Sequence, residues 1–258
     1  MNNIITTILL SFTLFGVVYG LTLINKNGFS VSLKSTILGE DRTIFIHLPH
    51  NYQNSDGSYP VLYRLDGSQK LVRKTVSVIR HLSRKKENTS EIIVVAIENT
   101  DRGRDMWPTY TMHYPESLPL GANDFLAFIE KELIPYIDNN YRTNKKRIIC
   151  GQSLSAVFTL YTFLSKAYLF DSFIACSGAF PDCESFFKEL SHQAFLQPEQ
   201  FNGKKLFITH GLKDPLDPNR TIHQQMTDFV SSIKNNLENE VACKYCFMKM
   251  KAMFPKTV

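Results

Sequence analysis

Apolar and polar positions along the chain follow two periods, and their order predicts the fold. Segments 29–37 and 43–48 alternate with a period of two, as paired antiparallel strands do. Segments with the helical period separate most of the later strand-like runs, which predicts a mostly parallel sheet with helices on both faces. We therefore predict a single α/β domain over residues 21–258, with an eight-stranded sheet that begins as an antiparallel hairpin. The six later runs are 60–65, 91–97, 147–150, 173–177, 205–209 and 241–250.

The helical period covers 69–86, 154–166, 182–201 and a segment from Asp217 to about Asn236. A further helix is predicted to start at a cap formed by Asn123 or Asp124. The polar stretch 99–120 is too long for a simple connection, so we predict a functional loop there. The apolar residues of the capped helix fall on one side, as packing on a core requires: Phe125, Phe128, Ile129, Leu133 and Ile137.

Residues 1–20 contain no charged side chain, and 4–18 form an apolar run that is short for a membrane span. Val18 and Gly20 suit the small-residue positions of a cleavage site. We therefore predict a signal peptide over 1–20 and export of the protein, either periplasmic or secreted. Because no Lys or Arg precedes the run, an uncleaved amino-terminal anchor stays as the alternative.

The composition, 43% apolar and 21% charged, is that of a globular protein with a large core, which excludes disorder, collagen and small disulfide scaffolds. The formal charge is +5, and the basic residues are scattered except between Lys70 and Lys86. We interpret that cluster as the solvated face of a helix, since a nucleic-acid partner calls for a denser basic stripe. We predict no nucleic-acid partner and no membrane contact beyond the leader.

Five cysteines leave at least one thiol unpaired in a monomer. Cys150 and Cys176 lie in apolar runs, where a buried thiol acts as a small hydrophobic side chain. Cys243 and Cys246 have the CxxC spacing, but no second pair or histidine stands near them. We interpret these two as structural thiols rather than as a metal or disulfide-exchange site. The sequence implies no metal and no organic cofactor.

The most informative segment is 147–156, with the sequence RIICGQSLSA, in which a strand meets a helix at Ser153. A sharp turn of this kind exposes a serine hydroxyl at the carboxyl end of a sheet, and it requires small residues two positions before and after the serine. Gly151 meets this requirement, and Ser155 replaces the usual second glycine of G-x-S-x-G. A helix cap is the alternative role for Ser153, but the placement between a buried strand and a helix favours a nucleophile.

A serine that attacks an ester needs donors for the oxyanion that forms. The N–H of Leu154, at the amino terminus of the helix, is predicted to be one donor. The second donor in this architecture follows the third strand, where either Gly67 or Ser68 can provide an N–H. An ordinary β-turn over 66–68 explains the same residues.

In chain order, the acid of a catalytic triad follows the strand 205–209. Asp214 is placed for that role, in which it would orient an imidazole and stabilise its charge. Asp217 is the alternative, although its position before Pro218 is typical of a helix cap.

Four segments together resemble the "putative esterase" (esterase D-like) family of α/β-hydrolases. They are VLYRLDG at 61–67, AIENTDRGRD at 96–105, residues 125–142 and the turn at Ser153, and the resemblance spans about 28–245. Relatives in this family include siderophore esterases, S-formylglutathione hydrolases, feruloyl esterases and mycolyltransferases, and the chain most resembles the bacterial siderophore-esterase members. The resemblance implies the α/β-hydrolase fold and a small-molecule ester substrate.

In such members, the segment after the strand 91–97 borders the active-site cleft, which implies that Arg102 or Arg104 lies near an acidic or carbonyl-rich substrate. An internal ion pair with Asp101 or Asp105 is the structural alternative. The family also implies a histidine after the last strand, within a stretch like Glu-x-x-His-x-x-x-Pro. All seven histidines of this chain precede that strand, and we expect the nearest, His223, to lie on the surface of a helix.

Residues 247–255 offer an explanation for that difference. Read two bases later, codons for FMKMKAMFP can encode Tyr-Glu-Asp-Glu-Ser-His-Val-Pro. Our hypothesis is that the chain is truncated or frameshifted after about residue 247, in the gene or in its sequencing, so that the triad histidine is lost. Without a base, Ser153 is a poor nucleophile, and only a small residual activity is expected.

We therefore expect an exported serine hydrolase that cleaves carboxylic esters through an acyl-enzyme on Ser153, impaired by the missing histidine. Acyl transfer to another alcohol, by the same fold, is one alternative. A catalytically inactive ligand-binding relative is another. The sequence identifies neither the acyl group nor the alcohol nor the oligomeric state.

Overall fold

The computed structural model describes residues 22–25, 28–85, 91–178, 183–211 and 221–248. Within these ranges the chain forms nine strands and seven α-helices. The strands are β1 (Thr22–Asn25), β2 (Gly28–Ser35), β3 (Glu40–His47), β4 (Tyr59–Arg64), β5 (Ile93–Ile97), β6 (Thr143–Gln152), β7 (Ser172–Cys176), β8 (Lys204–Gly211) and β9 (Val241–Met248). The helices are α1 (Gln69–Lys85), α2 (Arg102–Met106), α3 (Ala122–Phe128), α4 (Ile134–Asn140), α5 (Leu154–Ser165), α6 (Glu184–Phe195) and α7 (Thr221–Leu237).

All nine strands belong to one sheet, in the order β1-β2-β3-β5-β4-β6-β7-β8-β9. β1, β2 and β3 pair antiparallel, and β3 also lies antiparallel to β5. The remaining pairs, from β5 to β9, are parallel. The α/β-hydrolase sheet with an antiparallel amino-terminal hairpin is thus confirmed. β1 adds a ninth strand at the edge, which four residues were too few to reveal by their periodicity.

The two faces of the sheet are covered unequally. One face carries the main core, to which α3 to α7 contribute the larger side chains. On the other face α1 packs against β3 and β5, around the small cluster of Phe45, Val72, Val76, Val94 and Ala96. Side chains of β6 and β7 that point to this second face, such as Ile148 and Ile174, are only half-buried.

Helix α5 is the central helix of the main core. Ten of its twelve residues are buried, because its side chains are apolar or small on every side, which is typical of a helix surrounded by protein. Phe158 and Phe163 pack against the rings of Phe125 and Phe173 on neighbouring elements, at 5.2 and 5.1 Å between centroids. Ser153, which precedes this helix, is therefore attached to an element that is packed on all sides.

Several predicted boundaries shift. β6 begins at Thr143, four residues before the predicted strand, and β9 ends at Met248. The predicted cap at Asn123 or Asp124 is wrong, because α3 starts at Ala122 with Gly121 as its cap. The Gly121 N–H donates instead to the Arg104 carbonyl at 2.8 Å, which ties this helix start to α2.

The predicted loop 99–120 is partly ordered into structure of its own. It contains α2 and an isolated bridge between Thr111 and Tyr114. Met106, Trp107 and Tyr114 are buried in the main core. Much of this loop therefore forms a packed wall beside the sheet rather than a free segment.

Three predictions fall outside the described residues: the signal peptide over 1–20, the acid Asp214 with its rival Asp217, and the altered tail after residue 248. They stay predictions, as does export. Of the helices that the structure describes, none has the length and apolar content needed to cross a bilayer.

Candidate active site

Ser153 sits in a strained turn between β6 and α5. Its backbone has φ 59° and ψ −127°, a left-handed conformation that is rare for a residue with a side chain. Its N–H donates to the Cys176 carbonyl of β7 at 2.9 Å, while its side chain is exposed. Strain of this kind persists only where the surrounding structure imposes it, and it is expected at a nucleophile.

Small residues flank Ser153 for two reasons, a steric one at Gly151 and a hydrogen bond at Ser155. A Cβ added to Gly151 would lie 2.0 Å from the Ser155 carbonyl oxygen, so no side chain fits there. Ser155 is buried, and its hydroxyl accepts the Gln152 N–H at 2.7 Å. The replacement of the usual glycine by serine therefore adds a hydrogen bond that closes the turn.

The same hydroxyl joins the turn to the end of β4. Ser155 Oγ donates to Asp66 Oδ2 at 2.7 Å. Asp66 also accepts from Arg102 Nε at 2.7 Å and from Asn99 Nδ2 at 2.8 Å. We call these four residues, Asp66, Asn99, Arg102 and Ser155, the cleft cluster.

Asp66 is charged in this setting. Burial raises the pKa of its carboxyl group, but hydrogen bonds from Arg102, Asn99 and Ser155 outweigh burial and hold the pKa below its ordinary value of 3.8. For residues 66–68 the sequence predicted either an oxyanion donor or an ordinary turn, and it indicated no role for the Asp66 carboxylate. The feature that could have indicated a role for Asp66 is its place at the end of a strand, where polar side chains of neighbouring parallel strands meet.

Three neighbouring strands end in residues with positive φ: Asp66 after β4, Ser153 after β6 and Ser177 after β7. The N–H of Ser177 donates to the Thr209 carbonyl of β8 at 2.7 Å, and the N–H of Leu65, the residue before Asp66, donates to the Cys150 carbonyl of β6 at 3.0 Å. Non-glycine residues in this conformation cluster at functional sites. The carboxyl edge of the parallel sheet is therefore the candidate site.

The predicted oxyanion donors differ in their availability. Within the described residues, the N–H of Leu154 has no hydrogen-bond acceptor, which suits an oxyanion donor at a helix amino terminus. The Gly67 prediction is wrong, because its N–H donates to the Ile97 carbonyl at 2.6 Å. A Cβ at Gly67 would lie 2.5 Å from the Ile97 carbonyl carbon, so packing on β5 explains this glycine. The Ser68 N–H, which no described acceptor takes, is the remaining candidate.

Arg102 and Arg104 have different surroundings. Arg102 lies at the cleft, where it pairs with Asp66 and reaches the Gln152 carbonyl at 3.3 Å. Arg104 instead joins a second group of charges, the core cluster, made of Glu40, Arg42, Arg104 and Asp105. The prediction that Arg104 binds substrate is therefore replaced by its alternative, an ion pair with Asp105.

The core cluster is built around a fully buried pair. Arg42 Nη2 and Asp105 Oδ2 lie 2.6 Å apart, and neither side chain is exposed. Arg104 contacts the other oxygen of Asp105 at 2.8 Å and Glu40 at 2.7 Å. The Arg42 guanidinium also stacks over the Phe125 ring. These contacts hold α2 against β3 and so fix the wall of the cleft.

An open cleft of about 430 Å³ lies in front of Ser153. Four cationic side chains line it, and Asp66 is the acid among its lining residues. This surface suits a substrate that carries negative charge. The four cations are Arg64, Lys70, Lys74 and Arg102. Lys70 and Lys74 belong to the basic run that we interpreted as a solvated helix face, so part of that run faces the site.

No histidine is among the described residues that line the cleft. His223 is half-buried rather than on the surface, with its ring 6.1 Å from that of buried His210. The described part of the chain also holds no cluster of three His, Cys, Asp or Glu side chains suited to a metal ion. The arrangement offers an exposed hydroxyl beside unpaired amides, which is the chemistry of acyl transfer.

Comparison with known proteins places the chain among esterases. A family model described as "Putative esterase" matches residues 35–244. Ferri-bacillibactin esterase BesA of Bacillus subtilis is 35% identical over 158 residues, which cover 54% of this chain and 54% of that protein. A second B. subtilis relative, YbbA, is 22% identical over 58% of its length. The chain thus spans a little over half the length of these curated relatives.

Solved structures share the fold. An IroE-like serine hydrolase from Shewanella oneidensis superposes with a TM-score of 0.74 at 24% identity, over 90% of this chain and 73% of that one. The siderophore hydrolase EstA from Aspergillus nidulans gives a TM-score of 0.71 at 17% identity, over 92% and 93%. At such identities the likeness concerns the fold alone.

Proposed function

Because the chain belongs to the "Putative esterase" family, we propose that it is a serine hydrolase that cleaves carboxylic esters through an acyl-enzyme on Ser153. The observation that carries the proposal is the strained, exposed turn at Ser153, with the free N–H of Leu154 beside it. Two of the similar proteins carry names that describe ester or siderophore hydrolysis. Those names support the reaction class.

The proposed reaction follows from the turn. Ser153 Oγ adds to the ester carbonyl, and the N–H groups of Leu154 and Ser68 receive the charge on the carbonyl oxygen. Collapse of this intermediate expels the alcohol, which takes up a proton, and water then releases the acid from Ser153. Arg102 and Asp66 hold the turn in place through Ser155.

For the substrate class we propose an anionic ester of the siderophore type. Lys70, Lys74, Arg102 and the largely buried Arg64 line the cleft. Oxygen-rich, negatively charged iron chelators present groups that such cations attract. A neutral short-chain ester would gain nothing from these four charges, so it should be a poorer substrate.

The proposed nucleophile is tested by fluorophosphonate labelling followed by peptide mapping. We expect Ser153→Ala to abolish labelling. Ser177→Ala is the matched control, because Ser177 is also a strand-end serine with positive φ, and it should leave labelling unchanged. Equal labelling of the Ser153→Ala variant would refute the assignment. If no serine is labelled, either the inactive ligand-binding alternative or the loss of the base is favoured, and a version with the restored tail separates the two.

We further propose that the reading-frame shift after about residue 247 has removed the histidine that would take the Ser153 proton, with Asp214 as its support. This rests on the alternate reading of residues 247–255. Hydrolysis of p-nitrophenyl esters should be much faster in a version whose tail is restored in the alternate frame than in the chain as given. Equal rates would contradict the loss of a base. Acyl transfer would appear as a new ester when an added alcohol replaces water.

A further inference from the structure

Two of the five cysteines lie against each other below the cleft. Cys150 of β6 is in register with Ile174 of β7, and Cys176 of β7 with Gln152. Since side chains two positions apart on a strand share a face, both thiols point to the thinly covered second face of the sheet. Both are half-buried and free. The sequence-based expectation that these two thiols are buried as small hydrophobic side chains is therefore only partly met.

A buried cation faces the pair. Arg64 is 8% exposed, and its Nη1 donates to the Cys150 carbonyl at 3.0 Å and to Cys150 Sγ at 3.5 Å. Among the described residues, no carboxylate oxygen lies within 4 Å of the Arg64 guanidinium, because nearby Asp66 pairs with Arg102 instead. A buried charge without a counter-charge is costly. The ionisable group that Arg64 contacts is the Cys150 thiol.

The contacts favour a thiolate on Cys176. A hydrogen bond from Cys150 lowers the pKa of the Cys176 thiol, the positive charge of Arg64 lowers it further, and burial opposes both. The pKa of Cys150 moves up, because it donates that hydrogen bond and is buried. These directions favour one negative charge shared by the two sulfurs beside Arg64. By contrast, burial raises the pKa of Cys243, which is also half-buried.

We propose that Cys176 is a thiol-modification site, at which the Cys176 sulfur, on the same face of the sheet as Cys150 and the buried Arg64 cation that Cys150 contacts, exchanges with small-molecule disulfides. The Cys176 thiolate attacks one sulfur of the disulfide, and a new S–S bond joins Cys176 to that sulfur. The other sulfur leaves as a thiolate and takes up the proton that Cys176 released on ionising. The sulfur of Cys176 is oxidised and the leaving sulfur is reduced, so the exchange needs no other oxidant.

The modification would act on the nucleophile. The peptide carbonyl of Cys176 accepts the Ser153 N–H at 2.9 Å, so this residue holds the strained turn. A group added to its side chain would crowd the face of the sheet on which Arg64 contacts Cys150 and lines the cleft. We therefore expect the mixed disulfide to slow the reaction of Ser153. This second step rests on the proposed function, whereas the thiol exchange does not.

The test uses the full chain and an uncharged probe, 2-hydroxyethyl disulfide, with Cys176 and Cys243 followed in the same digest by mass spectrometry. Cys176 should react about tenfold faster than Cys243 at pH 7, because a lowered pKa raises the thiolate fraction more than it reduces nucleophilicity. The midpoint of its pH–rate profile should fall below about 8.5, the ordinary value for a thiol. Equal rates at the two cysteines would overturn the proposal.

Variants separate the charge from the fold. Arg64→Met should raise the midpoint for Cys176 and slow its reaction several-fold at pH 7, while Arg64→Lys should keep both close to the original. If Arg64→Met does not fold, as judged by circular dichroism, Cys150→Ala provides the same upward shift by removing the hydrogen-bond donor. An unchanged midpoint in the folded variant contradicts the pairing.

Fluorophosphonate labelling of Ser153, before and after modification, distinguishes the two proposals. Slower labelling of the modified chain supports the link between Cys176 and the turn. Unchanged labelling overturns that link but leaves the thiol site standing on its own rates. If the untreated chain is not labelled at all, the proposed function has failed, and the rates of Cys176 and Cys243 still decide the thiol site.

Discussion

The cleft cluster and the core cluster use the same chemistry for different ends. Arg102 and Arg104 lie two residues apart on one short helix, and each pairs with a carboxylate at 2.7 Å. Arg104 helps to neutralise Asp105, which is fully buried with Arg42. Arg102 is 38% exposed and holds Asp66, which in turn holds Ser155 beside the nucleophile.

The difference teaches that surroundings, not residue type, decide what an ion pair does. A buried pair repays its desolvation only while every partner is present, so its removal is costly to the fold. A half-exposed pair contributes little to stability, since water screens it. The effect of the half-exposed pair of Arg102 and Asp66 is instead to hold Ser155 in place. The two clusters should therefore fail in different ways.

Removal of Asp105 should have the largest effect. Asp105→Ala leaves the buried Arg42 guanidinium without its partner, and we expect a loss of about 3–5 kcal/mol in the free energy of unfolding. Urea unfolding followed by circular dichroism measures it. Asp101→Ala is the control, because Asp101 only caps α2 through the Arg104 N–H, and it should cost about 1 kcal/mol. Similar losses in the two variants would contradict the special weight of the core cluster.

Removal of the Asp66 charge should affect the reactivity of Ser153 more than the stability of the fold. Asp66→Asn keeps the shape but weakens the contacts with Arg102 and Ser155, and we expect a loss of only about 1–2 kcal/mol in stability. Fluorophosphonate labelling of Ser153 should nevertheless slow about tenfold or more, because the turn loses its anchor. The comparison breaks down if labelling is unchanged, or if the variant unfolds as readily as Asp105→Ala.

Ser155→Ala should have a smaller effect of the same kind. The variant loses one hydroxyl that bridges the Gln152 N–H and Asp66, which should cost about 1 kcal/mol of stability. Labelling of Ser153 should slow less than in Asp66→Asn, since Arg102 and Asn99 still hold the carboxylate. A double variant, Ser155→Ala with Asp66→Asn, should show less than the sum of the two effects, because both act through one hydrogen bond.

The smallest predicted effect is the loss of the stability that Asp66 contributes when the pH falls. The pKa of Asp66 is lowered below 3.8 in the folded chain. Near this pH the folded chain therefore binds fewer protons at Asp66 than the unfolded chain does. Its contribution to stability is therefore complete above pH 3.8 and is lost as the pH falls through the folded value. The difference in unfolding free energy between the original chain and Asp66→Asn should shrink below pH 3.8. A difference that grows with acid would give the opposite sign.

The sequence predicted the sheet and the turn at Ser153 because both depend on local patterns. Eight strands follow from periodicity, and the turn follows from Gly151 and Ser155 around one serine. The choice between Arg102 and Arg104 was out of reach, since aspartates flank both and the deciding partners are remote. Glu40 lies 64 residues before Arg104, and Asp66 lies 36 residues before Arg102.

The same distinction explains the errors at Gly67 and at the cysteines. A glycine after a strand indicates close approach of the backbone, but only the fold shows that the approaching group is β5 rather than a ligand. Cys150 and Cys176 are 26 residues apart in the sequence. The register of β6 and β7 brings them to one face of the sheet, and no local pattern indicates that register. The sequence thus indicated the strands and helices, but it did not indicate the strand registers or the remote contact partners of these residues.

The sideways ties at the strand ends also govern how the protein responds to heat. Leu65, Ser153 and Ser177 each donate an N–H to the neighbouring strand, at 3.0, 2.9 and 2.7 Å. The edge that carries Ser153 is thus hydrogen-bonded to the central strands of the sheet and should open only when the pairing of these strands breaks. We therefore expect the loss of Ser153 labelling on heating to coincide with global melting, so that a chain that survives warming keeps this edge intact.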